Sequence, residues 1–314
     1  LHSMAQYDYQ TALWARLWGG PWLLEYLPVT VKVPREEFWL PAEVQYPWPD
    51  TYHPPEEMRL DLLCPLKFRL TVKSSEDTYI RWHQFWFPGW QASTGRVRLP
   101  VTPSPQLGLV TVQVPAGEHT ITIWFGDTFP RGVGKVLSLV SALSLLIAFW
   151  RWKSWRGVLW LTLPVILWFG LWGWHNFRYS TCDRPEAVGA IFEDKVALVG
   201  VSFRSGGEKA EATLYWMALG PLNENLTAFV HLLGPDGSKL SQHDGPPGES
   251  FSPTTRWEPG EIVPDRHLIP IPAGAEPASL RVGLYRLEPA LENLTAYGKD
   301  GAILGESVHL GVKR

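Results

Sequence analysis

This sequence lacks the motifs of hydrolysis, phosphate binding and metal binding. It contains no Gly-x-Ser-x-Gly elbow, no phosphate-cradling glycine loop and no His-Glu-x-x-His zinc helix. Its only cysteines are Cys64 and Cys182, which excludes a disulfide framework, and no mixed Cys/His spacing indicates zinc. Two unpaired thiols are the simpler interpretation, with a single bridge between them as the alternative. We therefore predict no catalytic residue, no metal site and no cofactor.

Charge is also sparse, because only 19% of the residues are charged and the formal net charge is −3. Such a chain has no global field to attract a polyanion, so nucleic acid is excluded as a partner. With 314 residues, 45% of them hydrophobic, the chain is long enough for two domains with their own cores. Its 18 tryptophans and 28 prolines are typical of a membrane-attached β protein.

Two uncharged apolar runs extend from Val136 to Trp150 and from Val158 to Trp174. They predict transmembrane helices at 132–152 and 157–175, with a buried helical pair in a soluble domain as the alternative. Tryptophans cluster at both edges, as indoles do at headgroup depth, and basic residues flank the first edge. The predicted membrane-interface residues are Trp150, Arg151, Trp152, Lys153, Trp155, Arg156, Trp172 and Trp174.

The short connection between the runs carries Arg151, Lys153 and Arg156. The positive-inside rule places this connection in the cytoplasm, so both flanking segments are extracytoplasmic. We therefore predict a multi-pass protein of the cell membrane, with the lipid bilayer as a partner.

Short alternating runs separated by Gly, Pro and Ser turns fill 46–131 and 186–314, which predicts antiparallel strands on both sides of the helices. The predicted strands include Leu109–Val114, Leu226–Leu233 and Leu268–Ile271. The segment 1–45 is an amphipathic lead-in that either lies on the membrane surface or packs on the following domain. The predicted fold class is mainly β, with two extracytoplasmic β-sandwich-like domains flanking a transmembrane α-hairpin.

Several motifs together resemble a known group of proteins. Phe87-Pro88-Gly89-Trp90, the stretch 108–119, Phe125-Gly126-Asp127-Thr128 and the motif Glu25-Tyr26-Leu27-Pro28 resemble the C-terminal region of bacterial multi-spanning membrane proteins of the YfhO-like and 6-pyruvoyl-tetrahydropterin synthase-related kind. The stretches 229–237 and 242–247 with Trp257-Glu258-Pro259-Gly260-Glu261, continuing through Asp265 and His267 to 282–285, resemble a C-terminal β domain found on predicted membrane glycosyltransferases.

This resemblance implies a non-catalytic C-terminal part of a membrane glycosyltransferase-like protein. Its β domains would recognise or orient a lipid-linked sugar or a cell-envelope polymer outside the membrane. The catalytic carboxylates proposed for those families lie in early loops, which nothing in this chain matches. The alternative is a free-standing, membrane-anchored binding or scaffold protein of the cell envelope.

Two sets of side chains are candidate binding sites. Trp82, Trp86 and Trp90 could stack on sugar rings, or they could pack in a core or against headgroups. A second set could converge as metal ligands or as an acid–base pair. The alternative is that these side chains only form hydrogen bonds within strands and turns. The second set is His231, His243, Asp244, Asp265 and His267.

Overall fold

The computed structural model describes residues 52–64, 66–151, 182–248 and 253–312. Strands dominate these residues and one α-helix interrupts them, so the prediction of a mainly β fold is confirmed. The predicted lead-in 1–45 and the predicted second helix 157–175 lie outside the described residues.

The first β unit precedes the helix, and its strands follow the alternation of apolar and polar residues in the sequence. In β2, for example, Phe68, Leu70 and Val72 point inward while their neighbours face solvent. The strands are β1 (Glu57–Cys64), β2 (Lys67–Ser74), β3 (Thr78–Phe85), β4 (Trp90–Thr94), β5 (Val97–Leu99), β6 (Val101–Pro103), β7 (Leu109–Val114) and β8 (Gly117–Phe125).

The second β unit follows the helix and contains longer strands, which are joined by turns rich in glycine. Its strands are β9 (Glu186–Phe192), β10 (Val196–Gly206), β11 (Lys209–Ala218), β12 (Leu226–Leu233), β13 (Lys239–Gly245), β14 (Glu261–Pro270), β15 (Ser279–Arg286), β16 (Glu292–Asn293), β17 (Ala296–Tyr297), β18 (Ile303–Gly305) and β19 (Val308–Gly311).

The described strands form three sheets in layers. The outer sheet of the first unit has the order β1-β2-β8-β4-β5, and that of the second unit has the order β13-β12-β15-β16 with β19 beside β15. Between them lies a nine-stranded sheet of order β18-β17-β9-β10-β11-β14-β3-β7-β6, to which both units contribute.

The central strands of the middle sheet, such as β11, are buried on both faces. Leu214 and Trp216 of β11 belong to the core of the second unit, whereas the intervening Tyr215 and the next residue, Met217, belong to the core of the first. Because strand side chains alternate between faces, a run that is apolar at every position fits a wall between two cores. The two sandwiches therefore share their middle layer.

The joint between the units is a short parallel pairing of β14 with β3. Glu261 lies opposite Arg81, and Ile262 lies opposite Trp82. The units that the sequence divides at the helix are thus continuous through one sheet, a relationship that the hydrophobic pattern did not reveal.

Cys64 and Cys182 form a disulfide between residues 118 positions apart. The expectation of two unpaired thiols is therefore wrong, and the alternative of a single bridge is correct. A backbone pair reinforces the covalent link, since Leu63 N donates to Asp183 O at 2.8 Å and Asp183 N donates to Leu63 O at 2.7 Å. The bridge ties the end of β1 to the chain segment that leads into β9.

The helix α1 (Phe129–Arg151) is separated from β8 by three residues and contains the first apolar run. Every side chain described between Val133 and Ile147 is exposed, including Leu145 at 62%. Within the described part of the chain, no helix combines the length and the apolarity of a bilayer crossing.

Candidate functional site

The most deeply buried charges lie at the joint between the two β units. The Arg81 side chain is 1% exposed and that of Glu258 is 0% exposed, and Arg81 Nε lies 3.4 Å from Glu258 Oε2. Arg81 Nη1 also donates to Pro259 O at 2.7 Å, and the guanidinium lies 4.1 Å from the centre of the Tyr79 ring. An arginine from β3 is thus enclosed by the loop that leads into β14.

Glu258 is held by backbone donors from the first unit as well. Its Oε1 accepts hydrogen bonds from Gln106 N at 3.1 Å and from Leu107 N at 3.0 Å. Burial raises the pKa of Glu258, and the Arg81 charge opposes that shift. A buried charge of this kind persists only where partners replace its lost hydration.

A second ion pair extends the cluster towards the surface. His83 Nδ1 lies 2.5 Å from Glu261 Oε1, and Glu261 Oε2 accepts from Glu258 N at 2.8 Å. Burial alone lowers the pKa of His83, but the hydrogen bond and charge of Glu261 outweigh burial and raise it. The four residues Arg81, His83, Glu258 and Glu261 are named here the joint cluster.

The segment Trp257-Glu258-Pro259-Gly260-Glu261 owes its shape to a tight turn. Gly260 has φ +76°, and a Cβ at this position would lie 2.9 Å from Tyr79 O and 2.8 Å from the Tyr52 ring. Glycine is therefore required both for the left-handed conformation and for the close approach to the first unit. This motif carries part of the family resemblance in the sequence, and in the structure it lies at the joint between the two units.

The joint cluster is closed rather than open to a substrate. Three of its four side chains are at most 1% exposed, and each carboxylate already accepts hydrogen bonds from the protein. Such an arrangement orders two segments relative to each other because breaking it leaves an uncompensated buried charge. The cluster fixes how the two units are placed.

The predicted sugar-stacking tryptophans lie mainly inside the first unit. Trp82 and Trp90 are buried, with the Phe68 ring 4.4 Å from the Trp82 ring and 5.6 Å from the Trp90 ring. Trp86 is half-buried and packs against the same core. These contacts favour the packing role over the stacking role, since the faces of the two buried rings already contact protein.

Part of the predicted polar set converges in the second unit. His243 Nδ1 lies 2.9 Å from His267 Nδ1, and His267 Nε2 lies 2.8 Å from Asp265 Oδ2. Asp265 Oδ2 also accepts from the buried Trp216 Nε1 at 3.0 Å. Burial, with the nearby His267, lowers the pKa of His243. This relay joins the exposed strand β13 to the middle sheet.

The other two members of that set lie elsewhere. His231 pairs with Gln242 across β12 and β13, one residue away from the position of His243, so the two imidazoles face opposite sides of the sheet. Asp244 lies opposite Phe229 on the same outer face as His231. Among the described residues, no group of three or more His, Cys, Asp or Glu side chains has the arrangement of a metal site.

An open groove of about 600 Å³ lies beside the disulfide. Its walls combine apolar side chains, such as Phe203 and Leu310, with the charged Arg184 and Arg204. Arg204 forms an ion pair with Asp183, so it links the groove wall to the segment that follows Cys182.

Of the predicted interface residues, Arg151 is exposed at the end of α1. Trp150 belongs to α1, but its side chain is outside the description, and Trp152, Lys153, Trp155, Arg156, Trp172 and Trp174 lie outside the described residues. Sequence reasoning missed the joint cluster entirely. The available signal was the pair of glutamates around Pro259-Gly260, but nothing in the sequence identified Arg81 as their partner.

Comparisons with known proteins leave the family open. No family model matches the chain, and no curated protein matches it. Among solved structures, the C-terminal domain of Wzt aligns with 40% of this chain and 77% of its own length, at 9% identity and TM-score 0.28. An endonuclease/exonuclease/phosphatase from Beutenbergia cavernae DSM 12333 aligns with 69% of this chain and 40% of its own, at 11% identity and TM-score 0.22. A glycoside hydrolase family 2 β-glucuronidase aligns with 79% of this chain and 25% of its own, at 12% identity and TM-score 0.22.

Proposed function

We propose that this chain is the non-catalytic, extracytoplasmic β part of a membrane glycosyltransferase-like protein, anchored by a helical hairpin and serving to recognise or orient a lipid-linked or polymeric sugar. The observation that carries the proposal is α1, a helix whose apolar run is not covered by any of the described residues, beside a disulfide-linked β body. The sugar and the transferase come from the motif resemblance alone.

The exposure of α1 supports an anchor because no protein in the described residues covers its apolar side chains. Leu137, Leu139, Leu143 and Leu145 are each about half exposed or more, and they point in several directions around the helix. A helix that is apolar all round is stable in hydrocarbon rather than in water. Its 23 residues extend about 34 Å at ~1.5 Å per residue.

The uncharged run from Val136 to Trp150 is 15 residues long, shorter than the ~20 residues of a typical span. Lys135 before it and Arg151 after it can snorkel to the headgroups, and local thinning of the bilayer accommodates the remaining mismatch. These adjustments reconcile the proposed anchor with the absence of a full-length apolar span in the described helix.

The shared middle sheet supports a hairpin rather than a single crossing. β3 and β14 lie on either side of α1 in the chain yet pair directly, and Cys64 is bonded to Cys182. If α1 leaves the side of the membrane on which the β units sit, the chain must return before Cys182. The uncharged run from Val158 to Trp174 is available for that return.

The disulfide supports an extracytoplasmic location for both units. Disulfides persist in oxidising compartments and are rare in the cytosol. Because the bridge joins one residue from each unit, both units occupy the same compartment. The basic connection at Arg151, Lys153 and Arg156 then faces the cytoplasm, as the positive-inside rule predicts.

Thiol labelling of intact cells tests the location. Ser205, exposed at the end of β10, and Ser154, in the basic connection, are each replaced by Cys in the full chain. We expect a membrane-impermeant maleimide to label S205C in intact cells and S154C only after permeabilisation. The parent chain should stay unlabelled until reduction, and labelling of S154C in intact cells would overturn the topology.

The intact mass of the protein purified from its own membrane separates this function from its alternative, a free-standing envelope scaffold. A mass far above 35.5 kDa, with multiple further spans, supports the transferase-like parent. A mass equal to that of this chain supports the free-standing anchored scaffold and removes the transferase from the proposal.

A further inference from the structure

The exposed apolar side chains of the first unit are not spread evenly over its surface. Within the unit as described, the large apolar side chains that are exposed are Leu66, Phe87 and Val97. Leu66 and Phe87 lie at the end of the unit from which α1 departs, and Phe129, the first residue of α1, is 86% exposed there. Leu66, Phe87 and Phe129 together are named here the rim.

Backbone hydrogen bonds hold the three segments of the rim together. Phe125 N, at the end of β8, donates to Leu66 O at 2.9 Å. Gly126 N donates to Gly89 O at 2.8 Å, which ties the loop carrying Phe87 to the link between β8 and α1. The rim is therefore a built surface of the β unit rather than a set of separate loops.

The first turns of α1 are fixed to this end as well. Lys135 Nζ lies 2.5 Å from Asp127 Oδ2, and the Arg131 guanidinium lies 4.6 Å from the centre of the Phe125 ring. Only three residues, 126–128, separate β8 from α1. The unit therefore cannot move far from the point where the helix leaves it.

The rise of the first turns of α1 is slightly greater than the thickness of a headgroup layer. The helix residues 129–135 rise about 10 Å before the uncharged run begins. A bilayer adds ~5–8 Å of headgroup region to each side of its hydrocarbon core. If the run at Val136 begins at the edge of the hydrocarbon, the rim lies at the outer surface of the headgroup layer.

We propose that the first β unit binds the lipid surface directly through the rim, with the Phe87 and Leu66 side chains contacting the outer part of the headgroup layer. The basic Lys67 and Arg131 flank these side chains and suit lipid phosphates, while Asp127 is neutralised by Lys135. The lipid contact sets the tilt of the whole β body, because the middle sheet joins the second unit to the first. This inference rests on the membrane anchoring proposed above.

Val97 provides a matched control at the opposite end of the same sheet. Its side chain is 63% exposed, against 45% for Phe87, and it lies on the hairpin of β4 and β5, where Thr94 pairs with it. Trp90 at the other end of β4 pairs with Phe125 at the rim. Surface hydrophobicity alone therefore predicts equal lipid contact at both positions, and the proposal predicts contact only at the rim.

The test uses the full chain reconstituted in lipid nanodiscs. An environment-sensitive fluorophore is attached to F87C, F129C, V97C or L143C, the native cysteines being protected by their disulfide. Lipids carry a nitroxide quencher either near the headgroup or near the end of the acyl chain.

We expect the headgroup quencher to reduce the fluorescence at F87C and F129C several-fold more than at V97C. The deep quencher should act on L143C in the middle of α1. Quenching at L143C without any excess at F87C and F129C over V97C would overturn the rim while leaving the anchor. No quenching at L143C would overturn the anchor itself, and circular dichroism checks that each variant is folded.

Discussion

The joint between the β units and the end that carries α1 reverse the usual placement of polar and apolar groups. At the joint, Arg81 and Glu258 are charged and almost completely buried. At the other place, Phe129 and the leucines of α1 are apolar and exposed. The buried charges have partners within the chain, whereas the exposed apolar groups have none in the described residues. The charges at the joint are therefore satisfied within the chain, whereas the apolar side chains of α1 are not covered by any of the described residues.

The largest effect on stability should come from breaking the joint cluster. In Arg81→Ala, the buried carboxylate of Glu258 loses its cation, and we expect the free energy of unfolding to fall by about 3–5 kcal/mol. Urea unfolding followed by tryptophan fluorescence measures the change. Arg98→Ala, at an exposed position of the same unit, is the control and should cost less than ~0.5 kcal/mol. Equal losses in both variants would show that the joint cluster does not hold the units together.

Removing the covalent link should have the next largest effect. The double variant Cys64→Ser, Cys182→Ser frees a segment of 118 residues in the unfolded chain, and we expect a loss of about 2–5 kcal/mol. Reduction of the parent protein should give the same shift of the unfolding midpoint. A midpoint that reduction does not change would mean that the joint alone fixes the two units.

A glycine replacement separates close packing from backbone strain. Gly260→Ala introduces a Cβ against Tyr79 O and the Tyr52 ring at φ +76°, and we expect a loss of about 1–3 kcal/mol. Gly207→Ala is the matched control, because φ is +63° but nothing lies within 4 Å of its Cβ. Unfolding curves should show the larger loss for Gly260→Ala, and equal losses would remove the packing argument.

Two histidines should respond to pH in opposite directions. The pKa of His83 is raised in the folded protein. Its contribution to the free energy of unfolding is therefore complete below the unfolded pKa of ~6.5 and is lost as pH rises through the folded pKa. The pKa of His243 is lowered, so its contribution is present above ~6.5 and is lost as pH falls through the folded pKa. Unfolding at several values between about pH 5 and 8 measures both effects.

Glutamine variants assign these pH effects. His83→Gln should remove the loss of stability on the alkaline side, and His243→Gln should remove the loss on the acid side. The same pH profile in either variant as in the parent would mean that other groups control the titration.

The smallest effect is expected at α1. Leu143→Ser lies on the exposed helix, and we expect the unfolding free energy of the β body to change by less than ~0.5 kcal/mol. Thermal unfolding of the reconstituted chain measures this change. A large loss would mean that α1 packs on the β units, which would weaken the contrast between the two places.

Local patterns predicted many of the strands because their signal is contained within a few residues. β7 (Leu109–Val114) and β12 (Leu226–Leu233) have the bounds that the sequence predicts. Only the end of β14 was predicted, since Pro264, Asp265 and His267 interrupt its apolar pattern. The polar side chains of Asp265 and His267 are tolerated because they form hydrogen bonds with each other, with Trp216 and with His243. A local sequence pattern does not contain these long-range contacts.

The placement of the two units could not be predicted for a related reason. The β14–β3 pairing spans about 180 residues of sequence and involves only two residue pairs, so hydrophobic alternation does not record it. The disulfide could not be predicted either, because two cysteines in a sequence make a bridge possible without showing that it forms. The two uncharged apolar runs, by contrast, are continuous local signals, and the predicted membrane helices rest on them.

The parallel pairing of β14 with β3 can form only late in synthesis, because the two strands lie far apart in the chain. Arg81 leaves the ribosome 178 residues before Pro259, the residue whose carbonyl it binds. At ~5–20 residues per second, β3 waits roughly 10–35 s for its neighbour. During that time one edge of β3 has no strand beside it, and such an edge is prone to pair with other chains. The first unit of a nascent chain therefore presents this edge of β3 until the second unit is made.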